Sequence, residues 1–506
     1  MKQIDTFLNG ITMYKLVIFG LLAIAGVGIG LSLFGLVGFS TLSISISLVV
    51  CVGVALCVNE LAVYIVGAPR TVDSSIVTAL ILFLILAPIE TVHDAELTVG
   101  TVLIAILSKY IIAYRKKHLF NPAALGLVIM GFFGSGAAFW WTGSVYLFPI
   151  VAIVGFLVTR KIRREALVLS ALGSSLLAGV LLALVAHNNI LDVLMRTLIS
   201  GPMLFMATIM LTEPATTPPR RNEQIIYGTF VGLLSAMPPL FSRIAFTPEL
   251  SLILGNIYSY TVSLHERVLL TLVEKKEIAR GTFEFIFKPE RQLRFVAGQY
   301  LEWTLPHEGA DMRGIRRYFT IASAPEEAEV RLGIKIPAEK ASSYKAALAA
   351  MTPGTTMTAG GLCGDFVLPS DTREPIVMIA GGIGITPFRS MIEHIIRTGE
   401  HRSAYLFNAN RTNADIAYMD LLNRARDTFG LSTIHVLEDT TGAPADMVVE
   451  KGFIDGPMLA RHITNVPACR YYISGPSGMV NAYKSMLMKN GVAGTHIVTD
   501  YFPGFA

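Results

Sequence analysis

The sequence predicts three folded parts in series: a polytopic α-helical membrane domain of about ten spans over residues 1–262, a small antiparallel β-barrel over 263–371, and an α/β unit with a parallel sheet over 372–506. Nearly all the long apolar runs lie before residue 263, in a 506-residue chain that is 53% hydrophobic and only 15% charged. From residue 267 the pattern changes to apolar–polar alternation, the mark of half-buried strands. From 376 a continuous apolar strand, a glycine turn and an amphipathic helix follow in order, IVMIA, GGIGITP and FRSMIEHIIR.

The spanning segments lie near 14–36, 41–67, 74–88, 98–114, 120–138, 145–159, 166–186, 190–212, 225–240 and 247–262, several of them short or tilted. Charge orients them. With the N-terminus inside, Arg70, YRKKH (114–118), RKIRR (160–164) and PPRR (218–221) all fall in cytoplasmic loops. The loops at 90–96, 140–144 and 186–189 carry almost no Lys or Arg, and only Arg243 breaks the pattern. The number of spans is therefore expected to be even. Both termini and everything after residue 263 then lie on the cytoplasmic side of a cell (inner) membrane, in contact with lipid. The first apolar run begins near Tyr14 and many more follow, so no cleavable signal is expected.

The net charge of +4 calls for no nucleic-acid partner, because the basic residues cluster at helix ends. Four cysteines are too few and too scattered for a disulfide framework or a metal cluster. Cys51 and Cys57, six apart on one helix, point to different faces. Among ionisable residues in the spans, Asp192 and Arg196 are four apart and expected to pair. Snorkelling and function both remain open for Lys109. His93, His118 and His187 stand at loop positions rather than stacked inside spans, so no haem relay is expected.

In the barrel, RVLLTLVEKKEIARGTFEFIFKP (267–289) reads as two strands, and FVAGQYLEWTL (295–305), RRYFTIAS (316–323) and EVRLGIKIP (329–337) as three more. The last span ends near Tyr260, which makes the linker short and places the soluble part close to the membrane face. Binding a flavin dinucleotide takes a stacking ring, a donor for N5, and a cation with exposed amides for the pyrophosphate. Phe319, Thr320 and Arg317 supply these along one strand, with Phe319 and Arg317 on one face by parity. KASSYKAAL (340–348) then opens a helix at a Ser-rich N-terminus, where Ser342 and Ser343 meet phosphates.

In the α/β unit, the glycines of GGIGITP let backbone approach a pyrophosphate lying at a helix N-terminus. AYLFNANRT (404–412), STIHVLED (432–439) and CRYYISGP (469–476) continue the strand alternation.

HLFNPAALG (118–126), WWTG (140–143), FMATIMLTEPATTPP (205–219) and IIYGTFVGLL (225–234) resemble the D subunit of the Rnf complex and the homologous B subunit of the sodium-pumping NADH:quinone reductase, over most of residues 45–262. That resemblance implies a second flavin, FMN or riboflavin, or a quinone near the cytoplasmic helix ends. Lys109, Asn121, Thr212 and Glu213 are the candidates to hold it. The sequence departs from the family where its FMN is covalently attached. The loop after FNPA is collapsed, and GSGAA (134–138) has Ala138 in place of an acceptor Thr, so a non-covalent group is expected. The TEPATTPP loop holds the hydroxyls of Thr212, Thr216 and Thr217 but lacks the attachment pattern; a proline-rigidified connection accounts for it equally well.

R-x-(Y/F)-(S/T), G-G-x-G-(I/T)-T-P and (C/S)-G-P-x-x-M, in that order, resemble the ferredoxin-NADP reductase superfamily over 263–506. The resemblance implies FAD at Arg317, Phe319 and Thr320, with its pyrophosphate at Lys340, Ala341, Ser342 and Ser343. It implies NAD(P)H at Gly381, Gly382, Gly384, Thr386 and Pro387, with the nicotinamide end at Gly475, Pro476 and Met479. Thr320, Thr386 and Ser474 are the residues expected beside the reacting atoms. Ser474 stands where many members have Cys, and Phe319 where many have Tyr. Arg411 is placed to contact a 2′-phosphate, yet FNANRTNADIAY resembles loops of NADH users, which tilts the expectation to NADH. Phe502 either shields the flavin or packs with the tail on the surface.

These readings imply a membrane-bound oxidoreductase. Hydride passes from NAD(P)H to FAD, and electrons pass on to a second flavin, a quinone or a partner redox protein. The alternative keeps a cytosolic acceptor and makes the membrane half an ion-translocating module. No C-x4-C-x2-C run occurs, so no plant-type iron–sulfur domain is expected.

Overall fold

A computed structural model describes residues 2–66, 72–114, 117–133, 138–237, 246–262, 267–311, 313–337, 341–445 and 447–502. They divide into two compact units, Met1–Glu266 and Arg267–Ala506.

The first unit is helical. In order it holds α1 (Lys2–Asn9), α2 (Met13–Leu33), α3 (Thr41–Val66), α4 (Val72–Ile85) and α5 (Val92–Ile111). A two-residue strand pair follows, β1 (Ala113–Tyr114) and β2 (Lys117–His118), then α6 (Pro122–Phe132), α7 (Phe148–Ile162) and α8 (Glu165–Val185). After these come α9 (Ile190–Leu198), α10 (Met203–Phe205) running into a π-helical turn over Met206–Met210, α11 (Arg221–Ala236) and α12 (Pro248–Val262). Each expected apolar segment contains helix among the described residues, though α4 and α6 are only 14 and 11 residues long. By length and composition, α2, α3 and α8 are able to cross a membrane, and α9 with Met203–Met210 makes a fourth span if the bent pair is one.

The eighth segment, expected as continuous helix over 190–212, is broken and bent by 46°. Ser200, Gly201 and Pro202 fill the gap. Pro202 has no amide hydrogen to continue the ladder, and a Cβ on Gly201 would lie 2.0 Å from the Arg196 carbonyl oxygen. The expected Asp192–Arg196 pair is also corrected. Both side chains are exposed, and no ion pair joins them among the described residues. An exposed pair gains too little to hold two long side chains together. Helix α1 was not anticipated. It is tied down by Arg160, whose Nε donates to Asp5 at 3.1 Å, and by Lys161, which donates to the Leu8 carbonyl at 2.6 Å.

Helices α8 and α11 meet through small residues. A Cβ on Gly228 would lie 2.5 Å from the Leu167 carbonyl oxygen, and one on Gly232 would lie 2.3 Å from that of Ala171. This small-xxx-small seam brings the backbones together where lipid offers no hydrophobic drive. Gly232→Leu is expected to force the helices apart and lower the melting temperature of detergent-solubilised protein by several degrees, measurable by tryptophan fluorescence.

The second unit holds two sheets. An antiparallel sheet of order β6-β5-β8-β3-β4-β7 comprises β3 (Val268–Ala279), β4 (Thr282–Pro289), β5 (Tyr300–Thr304), β6 (Arg316–Thr320), β7 (Val330–Lys335) and β8 (Thr356–Cys363). Helix α13 (Ser343–Ala349) precedes β8. Leu270, Phe285, Phe287, Trp303, Leu332, Tyr344 and Leu348 form its fully buried core. The strand expected from 295 begins only at Tyr300. Residues 296–299 turn instead, with Gly298 at φ +96° and the Gln299 side chain accepting from the Val296 amide.

The parallel sheet has the order β12-β11-β10-β9-β13-β14. It comprises β9 (Ile376–Gly381), β10 (Ala404–Asn410), β11 (Ser432–Leu437), β12 (Val449–Lys451), β13 (Arg470–Pro476) and β14 (Ile497–Phe502), with α14 (Thr386–Thr398), α15 (Met419–Phe429), α16 (Gly456–His462) and α17 (Ser477–Lys489). The strand order reverses at β9, so the crevice beyond the carboxyl ends of β9 and β13 is the switch point where ligands bind in such folds.

Candidate active site

On the flavin side, Leu301 pairs with Phe319 and Trp303 with Arg317, and the buried Leu301 and Trp303 fix which face the two partners share. Both lie beside Tyr344 of α13: the Arg317 guanidinium stands 5.1 Å from the ring centroid and the Phe319 ring 5.9 Å from it. Arg317 also donates to the Gly314 carbonyl at 2.9 Å and to Asp311 at 3.3 Å. Ser342 caps α13, its hydroxyl accepting from the Lys345 amide at 3.3 Å. The Ser343 hydroxyl accepts from the Asp311 amide at 2.9 Å and meets His307 Nε2 at 3.1 Å, so it ties the 306–315 loop to the helix. Thr320 closes the strand, buried and paired with Tyr300. Ala341 precedes the cap, half-buried; Lys340 lies outside the described residues.

Sequence reasoning missed Arg313 and Lys345. Burial, with the charges of Arg313 and Arg317, holds the Lys345 ammonium below its usual range. Burial pushes Asp311 up, but hydrogen bonds from the Arg313 amide and guanidinium outweigh it and hold the carboxyl below the ordinary range. Three cations thus crowd a helix N-terminus. A pyrophosphate fits that donor set, because it brings the anionic charge the cluster wants.

On the nicotinamide side, β9 runs into a tight turn at Gly382–Ile385, and α14 opens at Thr386 with Pro387 in its first turn. Gly382 sits at φ +53°, where side chains are strained. A Cβ on Gly384 would lie 2.2 Å from the Ser474 carbonyl oxygen, and one on Gly381 would lie 2.4 Å from Met479 Sδ. The turn is therefore pressed onto the end of β13, next to Gly475, Pro476 and Met479. Thr386 Oγ1 donates to the Ile383 carbonyl at 3.1 Å and closes the turn rather than pointing away from it. Arg411 is exposed just past the carboxyl end of β10. Phe502 pairs in register with Pro476; nothing more of its side chain is described.

Ser474 is fully buried, yet its hydroxyl has no partner among the described residues. It starts a row across the sheet, Ser474–Ala380–Asn408–His435, in which Asn408 Nδ2 and His435 Nδ1 are likewise unpartnered. An orphaned buried donor beside a glycine turn suits the polar end of a nicotinamide nucleotide.

Burial holds His435 down at about 4, against an ordinary 6.5. The unfolded chain takes up this proton near pH 6.5 and the folded one near pH 4. Stability is therefore full above 6.5 and falls as pH drops towards 4. At about 1.4 kcal/mol per unit, His435 removes about 2 kcal/mol between pH 7 and pH 5. His435→Gln is expected to flatten that part of the pH–melting curve of the second unit.

In the helical unit the structure brings Asn121 and Glu213 together: Asn121 Nδ2 donates to the carboxylate at 2.9 Å. The Asn121 amide donates to Asn256 Oδ1 at 2.8 Å, and Asn256 Nδ2 donates to the Tyr227 hydroxyl at 2.7 Å. Thr217 donates to the Glu213 carbonyl at 2.5 Å. Thr212 does not join through its hydroxyl, which donates back to the Thr208 carbonyl at 2.8 Å. Lys109 donates to the Ser74 carbonyl at 2.9 Å, with its ammonium in electrostatic range of the Glu213 carboxylate. A buried carboxylate, Glu249, accepts from Trp140 Nε1 at 2.6 Å and was not singled out in the sequence.

Residues 132–264 match the NQR2, RnfD, RnfE family, residues 269–368 the oxidoreductase FAD-binding domain, and residues 378–485 the oxidoreductase NAD-binding domain. The chain joins an NQR2/RnfD/RnfE-family region to NAD(P)H-dependent, FAD-binding oxidoreductase domains. A flavohemoprotein of Bacillus cereus is 25% identical over 243 residues, covering 46% of this chain and 60% of that protein. The reductase component of propane 2-monooxygenase from Mycolicibacterium goodii is 29% identical over 232 residues, covering 45% and 62%. The chain thus spans about three fifths of these curated relatives. Among solved structures, the flavohem-like FAD/NAD binding domain of nitric oxide dioxygenase from Vibrio cholerae is 19% identical, with a TM-score of 0.42 over 46% of this chain and 98% of that one.

Proposed function

We propose that the chain is a multi-pass membrane flavoprotein that takes hydride from NAD(P)H onto FAD and passes electrons to an acceptor in its membrane region. The acceptor is a non-covalent FMN or riboflavin, or a quinone. What carries this reading is the succession, in one polypeptide, of the NQR2/RnfD/RnfE-family region and the two oxidoreductase domains. A membrane domain of about ten helices is far more than an anchor requires. The domains are residues 1–262, 263–371 and 372–506. Both termini and the nucleotide-binding domains face the cytoplasm of the cell (inner) membrane, as the Lys/Arg asymmetry of the loops indicates.

Bound FAD supplies the conversion from hydride chemistry to single-electron transfer. The residues supply position and charge. Arg317, Arg313, Lys345 and the capped start of α13 hold the pyrophosphate, and Phe319 and Thr320 address the ring. The Gly381–Gly384 turn and the N-terminus of α14 hold the nicotinamide nucleotide, and Ser474 and Met479 line its reacting end. Asn121 and Glu213 form the polar centre of the acceptor site in the helical unit. NADH is the preferred donor, with Arg411 left exposed to solvent.

The optical spectrum of the purified protein tests this. Two flavins per chain, both released by acid and both bleached by NADH, are expected. One bleachable flavin moves the acceptor to a quinone. A Soret band, or flavin that neither nicotinamide reduces, overturns the reading.

A further inference from the structure

The flavin strand and the nicotinamide helix are joined directly. Arg389 and Ser390 lie within the first turns of α14, just after Thr386. Arg389 Nη1 donates to the Ala322 carbonyl at 3.0 Å, and Ser390 Oγ donates to the Ser323 carbonyl at 2.6 Å. Those carbonyls follow Thr320 by two and three residues. Glu327, in the loop after β6, receives both Arg389 nitrogens, Nη1 in a short contact and Nη2 at 3.0 Å. The Ala324 amide donates to the same carboxylate at 2.6 Å, and Arg331 Nε lies 3.1 Å from it. Arg389 and Glu327 are both over nine-tenths buried.

The two parts share an apolar contact, in which the Phe366 ring lies 5.6 Å from that of Phe388 in α14 and 5.3 Å from that of Tyr472 in β13, with Ala297 in the same core. An open cleft of about 600 Å³ lies between the antiparallel sheet and helices α14 and α15, with Glu284, Arg331, Glu393 and Tyr418 in its wall. The cleft leaves room beside the seam, where the polar cluster adds hydrogen bonds and an ion pair to that apolar contact. One further contact sets the spacing from the other side. A Cβ on Gly333 of β7 would lie 2.7 Å from Thr386 Cγ2 and 2.5 Å from the Tyr418 hydroxyl.

We propose that Arg389, Glu327 and Ser390 form a clamp that sets the distance between the flavin and the nicotinamide, with Gly333 as the surface against which it closes. They are positioning residues; none touches the reacting atoms. The inference rests on the nucleotide sites assigned above. Hydride transfer needs reacting atoms about 3–3.5 Å apart, and a displacement of about 1 Å costs on the order of a hundredfold in rate. A clamp that binds neither cofactor is expected to act on the rate alone.

Anaerobic stopped-flow reduction of the full-length protein by NADH tests this, with Ser390→Ala and Gly333→Ala measured beside the wild type. Ser390→Ala removes one bond and keeps the ion pair; Gly333→Ala keeps every bond and wedges the seam. Both are expected to lower the limiting rate of flavin reduction about tenfold or more. FAD content should stay within twofold in both variants and the NADH concentration giving half the limiting rate within twofold in Ser390→Ala, and the charge-transfer absorbance should weaken. Limiting rates within twofold of wild type in both variants overturn the clamp. Loss of FAD from both overturns it equally, because the seam then serves flavin retention. A wild type that NADH does not reduce sinks the site assignment beneath it, a separate outcome.

Discussion

Arg317→Ala strips FAD from the protein and leaves the helical unit intact. The guanidinium lies over Tyr344 and is held by the Gly314 carbonyl and by Asp311, so its position is set before any ligand arrives. A charge-assisted hydrogen bond is worth about 1.5–3 kcal/mol, and losing it costs roughly ten- to a hundredfold in affinity. The substitution also leaves Asp311, an anion, facing the phosphate site with one less cation. Purified variant is expected to carry well under a tenth of the wild-type flavin, with unchanged elution in detergent. Arg317→Lys keeps the charge but loses the planar fork and is expected to fall between the two. Stoichiometric FAD in the alanine variant would place the pyrophosphate elsewhere.

Gly384→Ala is the second large effect. Its Cβ would lie 2.2 Å from the Ser474 carbonyl oxygen and 2.6 Å from the Ser474 carbonyl carbon. Both are backbone, so the turn itself must move, and with it the start of α14. Flavin reduction by NADH is expected to slow at least a hundredfold, while dithionite still bleaches the full FAD absorbance. Gly381→Ala is a built-in comparison: its Cβ meets the end of the Met479 side chain, which can swing away, so a milder loss is expected. Equal, near-normal rates in both variants would remove the turn from the nicotinamide site.

Much of this was legible because periodicity reports burial. Apolar runs became helices, and alternating runs became half-buried strands. GGIGITP became a turn pressed on the next strand because only glycine tolerates that approach. The break in the eighth segment was written in Ser200-Gly201-Pro202, but hydrophobicity continues straight through it and hides a backbone event. Arg313 and Lys345 were invisible as a pair, since one sits on a loop and the other on a helix that only folding brings together. The Arg389–Glu327 clamp joins residues 62 apart in the chain, and neither lies in a recognisable motif. Asn121 and Glu213 come from two segments that resemble one family and stand 92 residues apart in the chain. Their 2.9 Å contact needed the folded helices.

The central claim is that electrons from NAD(P)H leave through the membrane region. The most direct test compares full-length wild type with Glu213→Gln in detergent, each reduced anaerobically by NADH and then mixed with a short-chain quinone. The account predicts equal rates of flavin bleaching in the two proteins and reoxidation at least tenfold slower in the variant. Reoxidation at the same rate in both, or a reduced wild type that quinone never reoxidises, contradicts it.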